Sequence, residues 1–216
     1  MGKVRRLLKA SHFGPTLIVT TISWFFAAYY WWEGPACVIA FGVFTGQLVV
    51  GWSNDLYDYE DDLRHNRLNK PLVAGSISRG YLINWLRFMV PFSFIANIAG
   101  PLGIKGGLVY MLGIACGVAY NFYFKFSPLS PLPYAIAFAA LPSSIAISKE
   151  INPPTWMWLG GSLFGMAAHF INVIKDMKED HVSGINGLPQ KLGTKGSITT
   201  AIILIALGIT TLVLFL

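Results

Sequence analysis

Two short acidic stretches carry the residues in this sequence that are best suited to chemistry. The first acidic motif runs from Asn54 to Asp62 and reads NDLYDYEDD. The second acidic motif, residues 172–180, repeats its order of one asparagine and two aspartates at intervals of four. Because residues four apart lie about 40° apart around an α-helix, each motif is predicted to form one polar stripe. The two stripes consist of Asn54, Asp58 and Asp62, and of Asn172, Asp176 and Asp180.

Carboxylate and amide oxygens in this pattern suit a hard divalent cation. Mg²⁺ in proteins takes oxygen ligands, commonly one or two carboxylates completed by substrate phosphate oxygens and water. Two facing carboxylate stripes would repel each other unless cations lay between them, and a diphosphate could bridge those cations. Nearby basic side chains could bind the remaining phosphate oxygens, although Lys125 could equally snorkel to the membrane surface. These basic residues are Arg64, Arg67, Lys70 and Lys125.

Long apolar runs surround both motifs and predict a membrane protein. Only 12% of the residues are charged, about half the share found in soluble domains. A membrane-spanning helix needs roughly 20 apolar residues, and a proline such as Pro142 is tolerated within one. We therefore predict an all-α, polytopic transmembrane helix bundle of about seven helices, forming a single membrane-embedded domain over residues 1–216. The predicted spans are 14–32, 35–56, 81–100, 104–125, 132–148, 155–176 and 197–216.

The distribution of basic residues predicts the topology. Lys3, Arg5, Arg6 and Lys9 precede the first span, and most other basic residues fall on the same side if the helices alternate. Since basic loops favour the cytoplasm, the N-terminus and both acidic motifs are predicted to be cytoplasmic. The net charge of +6 could suggest nucleic-acid binding, but topology and a phosphate ligand account for it, so no nucleic-acid partner is expected. His12, at the end of the basic lead-in, is interpreted as a surface residue rather than a catalyst.

The motifs resemble those of a known enzyme family, the UbiA-type intramembrane aromatic prenyltransferases. NDLYDYEDD fits the pattern NDxxDxxxD, and DMKED in the second motif fits DxxxD. The segments KPLVAGSIS and LPQKLG are similar to the family's continuations after each motif. Tyr120 and Lys125 resemble its Tyr/Lys element, here with four residues between them. The resemblance covers roughly residues 12–216.

This resemblance implies a helical fold around a central cavity, in a multi-pass protein of the cell membrane. It also implies a transferase of prenyl groups that uses Mg²⁺ and a polyprenyl diphosphate. Asp55 enters the site only because the family motif includes it, whereas Asp61 is expected to be solvated. The implied metal ligands are Asn54, Asp55, Asp58, Asp62, Asn172, Asp176 and Asp180, and Asp58, Asp62, Asp176 and Asp180 are assigned as catalytic. The implied diphosphate contacts are Arg67, Lys70, Tyr120 and Lys125.

The acceptor and the completeness of the chain are further expectations. An aromatic or other lipophilic acceptor is expected, as in quinone or lipid biosynthesis. The family usually has nine transmembrane helices, so the last two are expected to be missing. One alternative is another polyprenyl-linked phosphate transferase with the same metals. A second is a divalent-cation transporter, which would place its carboxylates near the bilayer midplane rather than at helix ends. A third is a non-catalytic fragment that scaffolds partners.

Overall fold

The computed structural model describes residues 2–216, apart from the side chain at position 178. The described residues form helices and no strands, which confirms the predicted all-α class. The chain divides into two compact units, Met1–Gly107 and Leu108–Leu216, and each is described by itself.

The first unit contains four helices and the start of a fifth. After the short α1, the chain forms two long helices joined by a tight turn, and then a polar loop over residues 65–78 leads to the next helix. Ser78 accepts a hydrogen bond from the backbone N–H of Tyr81 and so caps the start of this next helix. The helices are α1 Lys3–Ala10, α2 Phe13–Tyr30, α3 Glu33–Arg64, α4 Arg79–Ala99 and α5 Gly103–Phe122.

Helix α3 is the core of the first unit. It packs against both α2 and α4, and its many small residues allow close approach of the neighbouring backbones. The buried amide of Asn97 on α4 donates to the Gly42 carbonyl of α3 at 3.1 Å. A Cβ at Gly42 would lie 2.5 Å from that amide's oxygen, so a larger residue at this position would displace the Asn97 side chain from its hydrogen bond. The packing thereby fixes the helix that carries the first acidic motif.

The second unit contains most of α5 and the remaining helices. A short 3₁₀ turn, Phe124–Phe126, follows α5, and a π-helical turn, Trp156–Gly160, leads directly into α7. The last helix changes direction at Gly193, whose φ of 67° and ψ of 178° are not helical. The helices of this unit are α6 Pro131–Ser148, α7 Gly161–Ile174, α8 Met177–Val182 and α9 Leu188–Phe215.

Close packing between α6 and α7 explains the run of small residues in α7. A Cβ at Gly161 would lie 2.8 Å from the Phe138 carbonyl oxygen, and one at Gly165 would lie 2.4 Å from that of Tyr134. The Gly-x3-Gly pattern formed by these two residues thus serves packing within the unit. The end of α7 lies near the start of α6, since His169 Nε2 is 3.0 Å from Ser130 Oγ.

Six of the described helices are long and apolar enough to cross a membrane. They correspond to the second through seventh predicted spans, namely α3, α4, α5, α6, the π-turn with α7, and α9. The first predicted span also forms a helix, α2, but it is not among the six. It has only 18 residues and includes several threonines and tyrosines, which lower its mean hydropathy.

Candidate functional site at the acidic motifs

The first acidic motif lies wholly within α3, which continues to Arg64. Its carboxylates therefore stand on one regular helix, as the spacing predicts. Asp55 and Asp62 are buried, with exposed fractions of only 2% and 1%. These two residues are seven apart, so they lie about 20° from each other around the helix axis. The pair that shares the buried face is thus Asp55 and Asp62.

Basic side chains from the polar loop fold back onto this buried face. Lys70 Nζ lies 2.6 Å from Asp62 Oδ2 and 3.3 Å from Asp55 Oδ1, so one ammonium bridges both carboxylates. Arg67 Nη1 donates to Asp62 Oδ1 at 3.0 Å. Tight turns hold the loop in place, with the Arg67 N–H bonded to the Asp62 carbonyl and the Lys70 N–H to the Arg67 carbonyl. Arg67 and Lys70, the two predicted diphosphate-binding residues of this loop, are therefore next to the predicted metal ligands Asp55 and Asp62.

Lys70 remains a cation in this setting. Burial alone would lower the pKa of its ammonium, because a charge is poorly solvated there. Asp55, Asp62 and Asp58 outweigh burial, and the net effect is a pKa above the ordinary value of 10.5. The loop consequently supplies a positive charge beside the two buried carboxylates.

The remaining polar residues of the first motif make local contacts. The Asn54 amide donates to Asp58 Oδ2 at 2.9 Å, which links two predicted metal ligands one helical turn apart. Asp61 was expected to be solvated. It is half-buried instead, and its carboxylate lies 3.4 Å from His65 Nδ1. Arg64 is exposed at the end of α3.

His12 also contacts the first motif, although the sequence suggested a surface residue. Its Nε2 lies 3.5 Å from Asp55 Oδ1, the oxygen that Lys70 also approaches. The side chain is 47% exposed, so it is partly at the surface and partly in the site.

The second acidic motif does not form a continuous helical stripe, and this corrects the prediction. Helix α7 ends at Ile174 and α8 begins only at Met177. Asp176 lies at the junction with φ of −103° and ψ of 0°, and its side chain makes no capping hydrogen bond. Asn172 and Asp176 are exposed, while Asp180 is half-buried on α8. The regular four-residue spacing thus crosses a helix break.

Asp180 is held by a residue that the sequence did not single out. Gln190 Nε2 donates to Asp180 Oδ2 at 2.7 Å, and Gln190 is only 6% exposed. The backbone N–H of Ile185 donates to the Asp180 carbonyl at 2.9 Å, which folds the segment after α8 back onto it. A Cβ at Gly187 would lie 2.8 Å from Ser130 Oγ, so the same segment packs tightly on the start of α6. The family-like segment LPQKLG therefore positions Asp180.

An aromatic cluster accompanies the second motif. Tyr120, assigned from the family resemblance, has its ring 5.1 Å from Tyr134 and 5.4 Å from the buried His169. Tyr134 is hydrogen-bonded to Asn172, so the cluster reaches the motif. Lys125 lies in the 3₁₀ turn that follows α5. Its side chain is only 4% exposed, so it does not extend to the surface as a snorkelling lysine would.

The first motif offers carboxylate and amide oxygens, which are the donors that fit a hard divalent cation. In the described part of the chain, no group of three or more His, Cys, Asp and Glu side chains is arranged to hold a metal ion. Lys70 lies between Asp55 and Asp62, and Asp55 has a buried Oδ2 without a hydrogen bond within that part. One or two protein carboxylates suit a Mg²⁺ ion whose other ligands are substrate oxygens and water.

Sequence reasoning missed several of these contacts. The seven-residue spacing of Asp55 and Asp62 was a usable signal, since it matches the helical repeat better than the spacing of Asn54 and Asp62. Gln190 and His12 gave no comparable signal, because their contacts depend on how the following segments fold back.

Comparisons with known proteins agree with the fold and with the family that the sequence resembles. Residues 16–216 match the model of the UbiA prenyltransferase family. The lycopene elongase/hydratase of Corynebacterium glutamicum is 26% identical over 167 residues, which cover 72% of this chain and 57% of that protein. The digeranylgeranylglyceryl phosphate synthase of Archaeoglobus fulgidus is 27% identical over 169 residues, covering 76% and 57% respectively. The chain thus spans little more than half the length of these relatives.

Solved structures share the helical architecture. A UbiA homolog from Archaeoglobus fulgidus bound to GPP and Mg²⁺ matches with a TM-score of 0.77 at 17% identity, covering 95% of this chain and 75% of that one. The apo structure of a UbiA homolog from Aeropyrum pernix matches with a TM-score of 0.71 at 18% identity, covering 97% and 78%. At these identities the match shows the fold alone.

Proposed function

Because this chain belongs to the UbiA prenyltransferase family, we propose that it transfers a prenyl group from a polyprenyl diphosphate to a lipophilic acceptor. The observation that carries this proposal is the buried pair Asp55 and Asp62 with Lys70 and Arg67 against it. Carboxylates that bind a cation and basic groups that bind a diphosphate are thereby adjacent on one helix and its following loop.

The proposed cofactor is Mg²⁺, which is bound in solved UbiA homologs from Archaeoglobus fulgidus together with GPP or DMAPP. Asn54, Asp55, Asp58 and Asp62 would hold it in the first unit, and Asn172, Asp176 and Asp180 are the proposed ligands in the second. A bound Mg²⁺ would neutralise the negative charge that develops on the departing diphosphate.

The proposed roles of the basic residues follow from their charge and position. Arg67 offers a planar fork of N–H donors, and Lys70 offers a compact charge that remains protonated. Both would turn from the carboxylates towards diphosphate oxygens and stabilise the leaving group as the allylic C–O bond breaks. Lys125, which is buried, is the proposed contact of the same kind in the second unit.

The acceptor then attacks the allylic carbon and loses a proton. Ring faces such as that of Tyr120 are suited to stabilise positive charge on the prenyl group during this step. The printed names of two relatives, a lycopene elongase and a digeranylgeranylglyceryl phosphate synthase, support a lipophilic acceptor. An aromatic quinone precursor is a further candidate from the family resemblance.

The proposed topology places the N-terminus and both motifs at the cytoplasmic surface of a cell membrane. The basic residues of α1 and of the loop over residues 65–78 support it. The first motif lies at the end of α3 and is followed directly by this polar loop. That location argues against a transporter, whose carboxylates would lie near the bilayer midplane.

A direct assay tests this function. Membranes containing the protein are incubated with labelled prenyl diphosphates of several lengths and with three acceptor classes, namely aromatic acids, glyceryl phosphates and carotenoids. We expect a prenylated product that depends on Mg²⁺ and disappears with a chelator. Release of a prenyl phosphate or a phosphate-transfer product instead would favour the polyprenyl-linked phosphate transferase.

A further inference from the structure

The turn that follows α1, Ser11–His12, is built closely against the helix that carries the first acidic motif. Trp52 Nε1, on α3, donates to the Leu7 carbonyl at 2.9 Å. A Cβ at Gly51 would lie 2.4 Å from the Ser11 carbonyl oxygen, so the two backbones touch where α3 has no side chain. Both contacts lie within one helical turn of Asp55.

A second set of bonds fixes the direction of this turn. Thr16 Oγ1 donates to the Ser11 carbonyl at 2.9 Å, and Arg6 Nη1 donates to the Ser76 carbonyl at 2.8 Å. The arginine contact ties α1 to the loop that carries Lys70. The N-terminal segment is therefore joined to both parts of the first motif, the helix and the loop.

His12 itself has a backbone conformation that is costly for a residue with a Cβ. Its φ of 54° and ψ of 58° lie in the left-handed region, where glycine or asparagine is the usual choice. Such conformations persist where the surrounding contacts enforce them, and they are common at functional sites. This conformation brings the imidazole Nε2 to 3.5 Å from Asp55 Oδ1.

The two oxygens of Asp55 have different surroundings. Oδ1 is approached by His12 and, at 3.3 Å, by Lys70. Oδ2 is buried and has no hydrogen bond to any of the described residues. We propose that His12 is a positioning residue, which fixes Asp55 through Oδ1 so that Oδ2 is presented to a divalent cation. Groups that orient metal-binding side chains in this way commonly change metal affinity by 10-fold to 100-fold when removed.

This inference rests on the proposed function, but its test has a separate readout. Binding of Mn²⁺ to the purified protein, in the presence of inorganic diphosphate, is followed by electron paramagnetic resonance. His12→Gly is the decisive variant, because glycine relieves the left-handed backbone while it removes the imidazole. We expect its melting temperature to equal or exceed the parent's, and its Mn²⁺ affinity to fall about 10-fold or more. His12→Gln, which keeps an N–H donor, should recover part of the affinity.

His65→Ala is the matched control, since this histidine also contacts an aspartate of α3, 3.4 Å away, but that aspartate is Asp61. It should bind Mn²⁺ like the parent. Parent-like affinity in His12→Gly would overturn the inference, as would a parent protein that binds no Mn²⁺. A parent that binds Mn²⁺, loses this affinity in His12→Gly and yet makes no prenylated product would contradict the proposed function and leave the inference standing.

Discussion

The two acidic motifs have the same residue spacing and different structures. The first lies in an unbroken helix, with Asp55 and Asp62 buried and bonded to basic residues of the next loop. The second crosses the break between α7 and α8, and its Asn172 and Asp176 are exposed. The difference teaches that a four-residue spacing fixes the order of ligands but not their geometry. The buried carboxylates of the first motif are held by α3 and by the basic residues of the next loop. In the second motif, the position of Asp180 depends on the segment that contains Gln190.

Among the variants of both motifs, removal of a buried carboxylate of the first motif should lower the melting temperature most. Asp62→Asn removes the charged partner of Arg67 and one of the two carboxylates that Lys70 bridges, and loss of a buried ion-pair partner typically costs about 3–5 kcal/mol. We expect no measurable prenyl transfer and a melting temperature lower by about 10 °C, measured by thermal unfolding in detergent. The neighbouring Asp61→Asn, at a half-buried position, is the control and should unfold like the parent. A parent-like melting temperature for Asp62→Asn would show that the first motif is not held by these ion pairs.

In the second motif, the contact with the largest expected effect is the hydrogen bond from Gln190 to Asp180. Gln190→Leu keeps the size of the buried side chain but removes its donor. We expect the Mg²⁺ concentration for half-maximal transfer to rise about 10-fold, in the range found when partners of metal ligands are removed. The exposed neighbour Lys191→Gln serves as the control. An unchanged Mg²⁺ requirement in Gln190→Leu would mean that Asp180 needs no such support.

The smallest expected effect is the change with pH in the stability that Lys70 contributes. The pKa of Lys70 is raised above 10.5, so its contribution to stability is fully present below that value and is lost only as pH rises through the raised pKa. The melting temperature of the parent should therefore exceed that of Lys70→Met by the same margin from about pH 6 to about pH 9. Thermal unfolding across this range measures the margin. If it narrows towards pH 9, Lys70 is losing its proton and does not interact with the carboxylates as described.

Much of the fold was predictable because hydropathy depends on local composition. Long apolar runs gave the helices, and the spacing of the first motif placed its ligands on α3. The break in the second motif was not predictable from the four-residue spacing. Asp176 lies at the start of α8 but makes no side-chain capping hydrogen bond, so capping by its carboxylate does not account for the break.

The contacts that complete each motif were not predictable in this way. Lys70 reaches Asp55 from a loop, His12 from the segment before α2, and Gln190 reaches Asp180 from the start of α9. Each depends on a chain reversal whose direction is set by tertiary packing rather than by residue type. Family resemblance placed Lys70 near a diphosphate but gave no indication of its bridge between two carboxylates.

The central proposal is that both motifs, despite their different structures, serve one prenyl transfer reaction. The most direct test compares the parent, Asp58→Ala and Asp176→Ala in the same membranes, with labelled prenyl diphosphate, Mg²⁺ and the preferred acceptor. We predict a loss of roughly 100-fold or more in product formation for each variant, as is typical when a group that stabilises transition-state charge is removed. Asp176→Ala should retain the parent's melting temperature, since Asp176 is exposed. Parent-like turnover in either variant would contradict the claim.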